Sequence, residues 1–312
     1  MSNNIRTGKN KVTIIGELVA FENVRKGQTK AGKDYIGGEI IVRTTINEVE
    51  NDHKVKFFSQ ATNSKGEPSK AYQGFETAIQ EQKNIKDHQK GDVVQITASI
   101  KENAYVSKED GEVRVFNELS ANFAPRRVKE GTEHVAIMEV EGMVLMMDKE
   151  LDQNEKPTGR MKLSVAVVNY GGELAIVDGF AEAELAQAFK GMYRPEKSGV
   201  FYFDLVARNV QTEKKVQLGF GKATTTTTDY VKVERILTGG SMPLERDTAY
   251  KTDEINQLMN LRRAKHEALK EEKANEKPNL GFGTATTTSN DAFAGMNMAA
   301  SNDNPFSANM PF

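Results

Sequence analysis

Alternation of apolar and polar positions dominates the first 240 residues. Val12, Ile14 and Leu18 fall on alternate positions, as do Ile36, Ile40 and Val42, and then Val94, Ile96 and Ala98. A period of two over short runs marks a half-buried strand. It predicts strands over 11–21, 34–44, 54–61, 92–105 and 112–123, a basic glycine-containing loop over 24–32, a helix over 69–87 and a turn at Glu109-Asp110-Gly111. The second half repeats the order, with strands over 135–148, 160–170 and 173–177, a short helix over 181–190, a hairpin of 200–209 and 215–222, and an extra strand over 230–236. Near the end the period becomes helical. Ile255, Leu258, Leu261, Ala264 and Ala268 form an apolar stripe over 252–273, with Thr252 as cap, Asp253 and Glu254 in the first turn and Pro278 beyond the end.

Strand-strand-strand-helix-strand-strand, met twice, is the element order of the OB-fold, a five-stranded Greek-key barrel. The expected fold is mainly β: a tandem OB-fold followed by a C-terminal helix and a disordered tail. An unspecified pair of β-sandwiches is the alternative. The expected divisions are an N-terminal OB domain over 1–128, a second over 129–240, a helical segment over 241–275 and the tail over 276–312. From Lys277 onward the chain is mostly Gly, Ala, Ser, Thr, Asn and Met without a hydrophobic period. Such a composition cannot repay its ordering entropy. One short echo, Gly219-Phe-Gly-Lys-Ala-Thr-Thr-Thr226 and Gly281-Phe-Gly-Thr-Ala-Thr-Thr-Thr288, reads as low-complexity drift or as a tail copy able to imitate the strand copy.

Composition removes several classes. There is no cysteine, which excludes disulfide staples, a thiol nucleophile and Cys-type zinc sites. No apolar run is long enough to span a membrane and the first residues lack a signal-peptide core, so a cytoplasmic protein is expected, in the host cytoplasm if phage-encoded. His53, His88, His134 and His266 stand alone, Gly221-Lys222 is not part of a phosphate loop, and no nucleophile elbow occurs. No enzyme activity, metal or cofactor is expected. Lys and Arg number 42 against 44 Asp and Glu, which opposes a broadly basic nucleic-acid binder. The charge is local, however: residues 1–33 hold seven basic and two acidic side chains.

That basic start adjoins a candidate binding face. On the third strand, alternation sends Val55 and Phe57 to one side and Lys54, Lys56 and Phe58 to the other. On the second, Ile36, Ile40 and Val42 oppose Tyr35 and Arg43, with Glu39 an acid on the same side. Strands two and three carry the binding face of an OB barrel, and single-stranded nucleic acid needs rings for its bases and cations for its backbone. Arg25, Lys26, Lys30 and Lys33 of the preceding loop can fold over the phosphates. Tyr105 joins this set, and Arg126, Arg127 and Lys129 extend the track toward the second barrel. There, alternation points Arg160, Lys162, Tyr170, Tyr202 and Arg208 outward.

The chain closes on Asn302-Asp-Asn-Pro-Phe-Ser-Ala-Asn-Met-Pro-Phe312, with Pro-Phe twice. A terminal Phe offers a ring and an anion together, and Pro311 lowers the ordering cost of docking. Here the sequence resembles the single-stranded DNA-binding proteins of bacteria and their phages, in which an OB domain leads through a low-complexity linker to an acidic Pro-Phe end. It looks more like a phage-type relative with two barrels in one chain. The resemblance implies protection of single-stranded DNA in replication, recombination or repair, and recruitment of replication or recombination proteins through Pro311 and Phe312. The tip departs from the bacterial pattern in having only Asp291 and Asp303 as acids. Two other readings are a β-rich phage structural or assembly protein with a flexible docking arm, and an RNA-binding module.

Overall fold

The computed structural model describes residues 5–63, 65–152, 154–216 and 224–275, without the side chains of 207–232, 246, 274 and 275. The expected disordered tail, with Pro311, Phe312 and the 281–288 repeat, lies outside the described residues, as do the side chains of Arg208 and of the 219–226 repeat.

The first barrel comprises β1 (Asn10–Gln28), β2 (Asp34–Ile46), β3 (Val49–Gln60), α1 (Lys70–Glu81), β4 (Val93–Val106), β5 (Val113–Ala121) and a short β6 (Arg126–Arg127). β2 pairs antiparallel with β1 and with β3. β5 runs parallel to β3, Leu119 standing opposite Val55, and antiparallel to β4, which returns to β1. The second barrel is β7 (Val135–Leu151), β8 (Pro157–Val168), β9 (Leu174–Ala181), α2 (Ala183–Met192), β10 (Ser198–Val216) and β11 (Thr224–Gly240). It closes the same way, through a parallel β9–β11 contact at Phe180 and Ile236 and an antiparallel return of β10 to β7. The fold is therefore mainly β, two OB barrels followed by a C-terminal helix, α3 (Thr252–Asn275).

Each barrel needs its first strand to serve two neighbours, and the same device does this twice. β1 leaves β4 and joins β2 at Gly16–Glu17, and a Cβ on Gly16 would run into the Arg43 carbonyl oxygen. On β7 a Cβ on Gly142 would meet the Ala166 carbonyl oxygen in the same manner. Register slips follow at once in both strands, between Leu18 and Ala20 and between Val144 and Met146. Glycine plus bulge is how a strand bends round a barrel corner.

The barrels are joined by their first strands. β1 pairs antiparallel with β7 from Asn10 opposite Val140 to Ile15 opposite Val135. Val12 stands opposite Met138, and each precedes its bend glycine by the same distance, so a local two-fold axis passes between them. Val12, Ile14, Met138 and Val140 belong to a single buried cluster that runs through both interiors.

Several boundaries differ from the expected ones. The loop over 24–32 is largely strand: β1 continues to Gln28, and only Thr29–Lys33 turns, with Gly32 at φ 72°. The hairpin expected from 200–209 and 215–222 does not form. Residues 210–214 contain no Gly, Pro, Asn or Asp to reverse the chain, so β10 runs on to Val216 and the "extra" strand belongs to β11, the fifth strand of the barrel. α1 ends at Glu81, and beyond it Asn84 Oδ1 accepts from the Asp87 amide at 2.9 Å to begin a turn. The strand over 160–170 ends at Val168, and Tyr170 opens a 3-10 turn with Gly171 and Gly172 at positive φ.

The helix α3 packs partly as expected. Ile255 and Leu258 bury against Met143, Ala166, Val168 and Leu174 on the outside of the second barrel. Leu261 is exposed, as are Ala264 and Ala268. In its second half the helix contacts the first barrel through ion pairs instead: Arg262 Nε with half-buried Glu102 of β4 at 2.5 Å, and exposed Lys270 with Glu112 at 2.8 Å. α3 thus spans both barrels. Among the described residues no helix is long and apolar enough to cross a membrane.

Candidate nucleic-acid interface

The outer surface of β1–β2–β3 is set by register. Gly27 stands opposite Tyr35, and Tyr35 opposite Gln60; in the next row Arg25 stands opposite Gly37, and Gly37 opposite Phe58. Inward neighbours Ile36, Val55 and Phe57 are sealed in the core. The Tyr35 ring lies over Gly27, where a side chain would touch it at 3.2 Å, and stacks on Phe58 with centroids 5.2 Å apart and planes at 30°. Glycine at 27 lets the Tyr35 ring lie on a strand surface where a side chain would otherwise prop it up. Both rings are half-buried, each keeping part of its surface open.

The cations of this face are already engaged. Lys54 pairs with Glu39 at 3.0 Å, Lys56 with Glu118 at 2.7 Å, and Arg43 with Asp52 at 2.7 Å and Glu50 at 3.4 Å. The hydrogen bond to Asp52 raises the Arg43 pKa further above its ordinary value, with burial opposing it. These carboxylates come from neighbouring strands, so alternation along one strand does not reveal them. The Arg43 pairs join partly exposed side chains and contribute about 0–1 kcal/mol each, so phosphates can replace Glu50 and Asp52 at little cost, whereas Glu39 and Glu118 are only 14% and 10% exposed and hold their lysines more firmly. We expect Glu118→Gln, which releases Lys56, to tighten oligonucleotide binding about threefold in a fluorescence titration.

A second ring pair lies at the far end of the same surface. Tyr105 is 53% exposed at the end of β4 and meets Phe116 of β5 edge-on, with centroids 6.0 Å apart. Phe116 shares its side of β5 with Glu118, the partner of Lys56, and so continues the outer face. It was not among the expected residues; the alternation of Arg114, Phe116 and Glu118 was the available signal. From Phe58 back to Asp52, where the face turns toward the β4–β5 ribbon, is about 20 Å at the rise of a strand.

Other expected residues are placed elsewhere. Lys26 stands opposite inward-facing Ile36 and pairs with Glu76 of α1 at 2.5 Å, which raises its pKa. Lys30 and Lys33 sit in the turn just past the Tyr35 end, Lys30 exposed and Lys33 partly buried. Arg126 and Arg127 pair with β4, which lies across the barrel from β2–β3. Arg127 is held there by Asp92 at 2.7 Å and by the Glu81 carbonyl. Lys129 is exposed, but the basic track is not continuous. His53 is buried beside Thr44 and Asn51, and burial pushes its pKa down to about 4.

The second barrel corrects the outward reading of Arg160. Ala166 opposite Met143 holds the place of Arg43 opposite Glu17, which puts Arg160 at the place of Gly37, Thr158 at that of Tyr35 and Glu182 at that of Phe58. The Arg160 side chain is only 14% exposed. It is clasped by Glu150 and Glu182 at 3.3 Å and Glu234 at 3.0 Å, and lies 4.5 Å over the Phe180 ring. Alternation could not foresee three carboxylates converging from β7, the α2 cap and β11. Lys162, Tyr170 and Tyr202 are exposed, but Lys162 is on β8, Tyr170 in the turn after it and Tyr202 on β10, and they do not gather. α3 covers the remainder of the face at Ala166 and Val168. Among the described residues no three His, Asp or Glu converge to hold a metal.

The strand pairing defines a protein of two OB barrels, one of which carries paired rings and cations on its outer face. The chain belongs to the YorF family, whose model matches residues 9–275. No curated protein matches it. Among solved structures, it is similar to the wild-type single-stranded DNA-binding protein from Thermus aquaticus, at 15% identity and TM-score 0.46, covering 80% of this chain and 99% of that one. A deletion mutant of the same Thermus protein gives TM-score 0.46 over 77% and 97%. A replication protein A heterotrimer bound to ssDNA gives 11% identity and TM-score 0.22 over 83% and 53%.

Proposed function

We propose that this protein binds single-stranded DNA without catalysis, protecting it during replication, recombination or repair in the cytoplasm. The observation that carries the reading is the outward Tyr35–Phe58 stack, flanked by Arg25 across Gly37 and by Lys54 and Lys56 along β3. Open rings accept unstacked bases of any identity, while nearby cations track the backbone. A duplex keeps its bases inside and gains little from such a face. The first barrel is the principal seat, because the places of its two rings are taken in the second by Thr158 and Glu182, with Arg160 and its carboxylates at the place of Gly37.

Recruitment of replication or recombination enzymes through Pro311 and Phe312, and a phage setting, are supported by the terminal Pro-Phe resemblance alone. The test is an anisotropy titration with dT oligomer against duplex of equal length at two salt concentrations. Tight, salt-sensitive dT binding with far weaker duplex binding is expected. Equal affinity for both, or for neither, would falsify the reading.

A further inference from the structure

Between the barrels, β5, β9 and α3 line an open cleft of about 270 Å³ that shares Phe116 with the outer face. Its walls include Phe116, Asn117, Ile176, Asp178 and Arg262, with Glu102 behind Arg262. Asn117 Nδ2 donates to the Ile176 carbonyl at 2.8 Å, which fixes the amide. Its Oδ1 is left buried with no donor. A buried acceptor without a partner is unfavourable, and a small rotation of the half-buried Asn117 side chain would bring it to a ligand N–H in the cleft. Asp178 Oδ1 accepts from Ser164 at 2.5 Å, which leaves Oδ2 available. Glu102 is engaged elsewhere, taking Arg262 Nε at 2.5 Å and the Ile176 amide at 3.2 Å, with His266 Nε2 3.6 Å from it. Arg262 spends only Nε on that bond, so its two Nη groups remain as donors.

The cleft therefore combines two acceptors, a guanidinium fork and a ring, Phe116, that is 41% exposed. We infer that it seats one unpaired base presenting adjacent N–H groups beside a carbonyl, and that guanine fits it best. The N1–H and N2–H groups of guanine suit Asp178 and Asn117, and O6 suits Arg262. Thymine offers one N–H between two carbonyls, which would face acceptors. A strand on the outer face already passes Phe116 and need only tip one base over the edge of β5. The inference rests on the single-strand reading and adds a base preference to a surface whose stacking alone would have none.

The test compares dT oligomers with and without one central dG, by anisotropy on the full chain. A single dG should tighten binding about tenfold, the scale of one well-made bidentate contact to a base. Asp178→Asn should bring that advantage to twofold or less, whereas Tyr35→Ala should weaken both oligomers alike. If Asp178→Asn does not fold, Phe116→Leu replaces it with the same expected loss of preference. Normal dT binding with no dG advantage, or an advantage that survives these variants, overturns the pocket and leaves the function standing. Failure to bind any oligomer overturns both.

Discussion

Replacing Tyr35 and Phe58 together by alanine is expected to lower affinity for a dT oligomer by on the order of a hundredfold, since stacking on an aromatic side chain is worth about 1–3 kcal/mol per base. Phe58→Ala alone should cost roughly tenfold, because removing one ring of a stacked pair also frees the other to swing away from the productive plane. The salt dependence should be unchanged, as no cation is lost. Folding should survive: both rings are half-exposed, and the core beneath them is filled by Ile36, Val55 and Phe57. A loss under threefold in the double variant, with an intact melting transition, would remove the stacking platform as the basis of binding.

Arg160→Ala should act in the opposite way, on stability rather than on DNA. It withdraws the cation shared by Glu150, Glu182 and Glu234, of which Glu234 is only 9% exposed. Breaking a buried ion pair from one side costs about 3–5 kcal/mol. With Glu182 about half exposed and able to find water, the lower end of about 3 kcal/mol is expected, or a melting temperature lowered by roughly 6–12 °C. Calorimetry reads the first effect, and a dT titration below the melting temperature should show affinity close to the parent. Large loss of affinity with normal melting would return Arg160 to the binding surface.

These two residues show what a single strand's pattern can reveal. Tyr35, Lys54, Lys56 and Phe58 were legible because side-chain direction in a strand alternates, so buried Val55 and Phe57 fix where their neighbours point. The barrel order was legible for the same reason, repeated over many short runs. Arg160 alternates correctly too, yet its surroundings depend on residues as far away in sequence as Glu234, 74 positions on, and on the way β7, the α2 cap and β11 converge. The ion pairs that hold Lys54, Lys56 and Arg43 have the same origin. Lys26, expected in a loop, lies instead on β1, which runs on to Gln28, and the register slip between Glu22 and Arg25 turns it to the side away from Tyr35. Phe116 was passed over because its strand alternates weakly, with few of its positions fully buried.

The dyad between Val12 and Met138 has a bearing on direction. Two sites related by such an axis would receive one filament in opposite 5′-to-3′ senses, so a single strand could not lie equivalently on both without doubling back. On the proposed single-strand reading, Arg160 and its carboxylates would close the second seat and avoid that conflict, leaving one berth and one orientation for the polymer on each molecule.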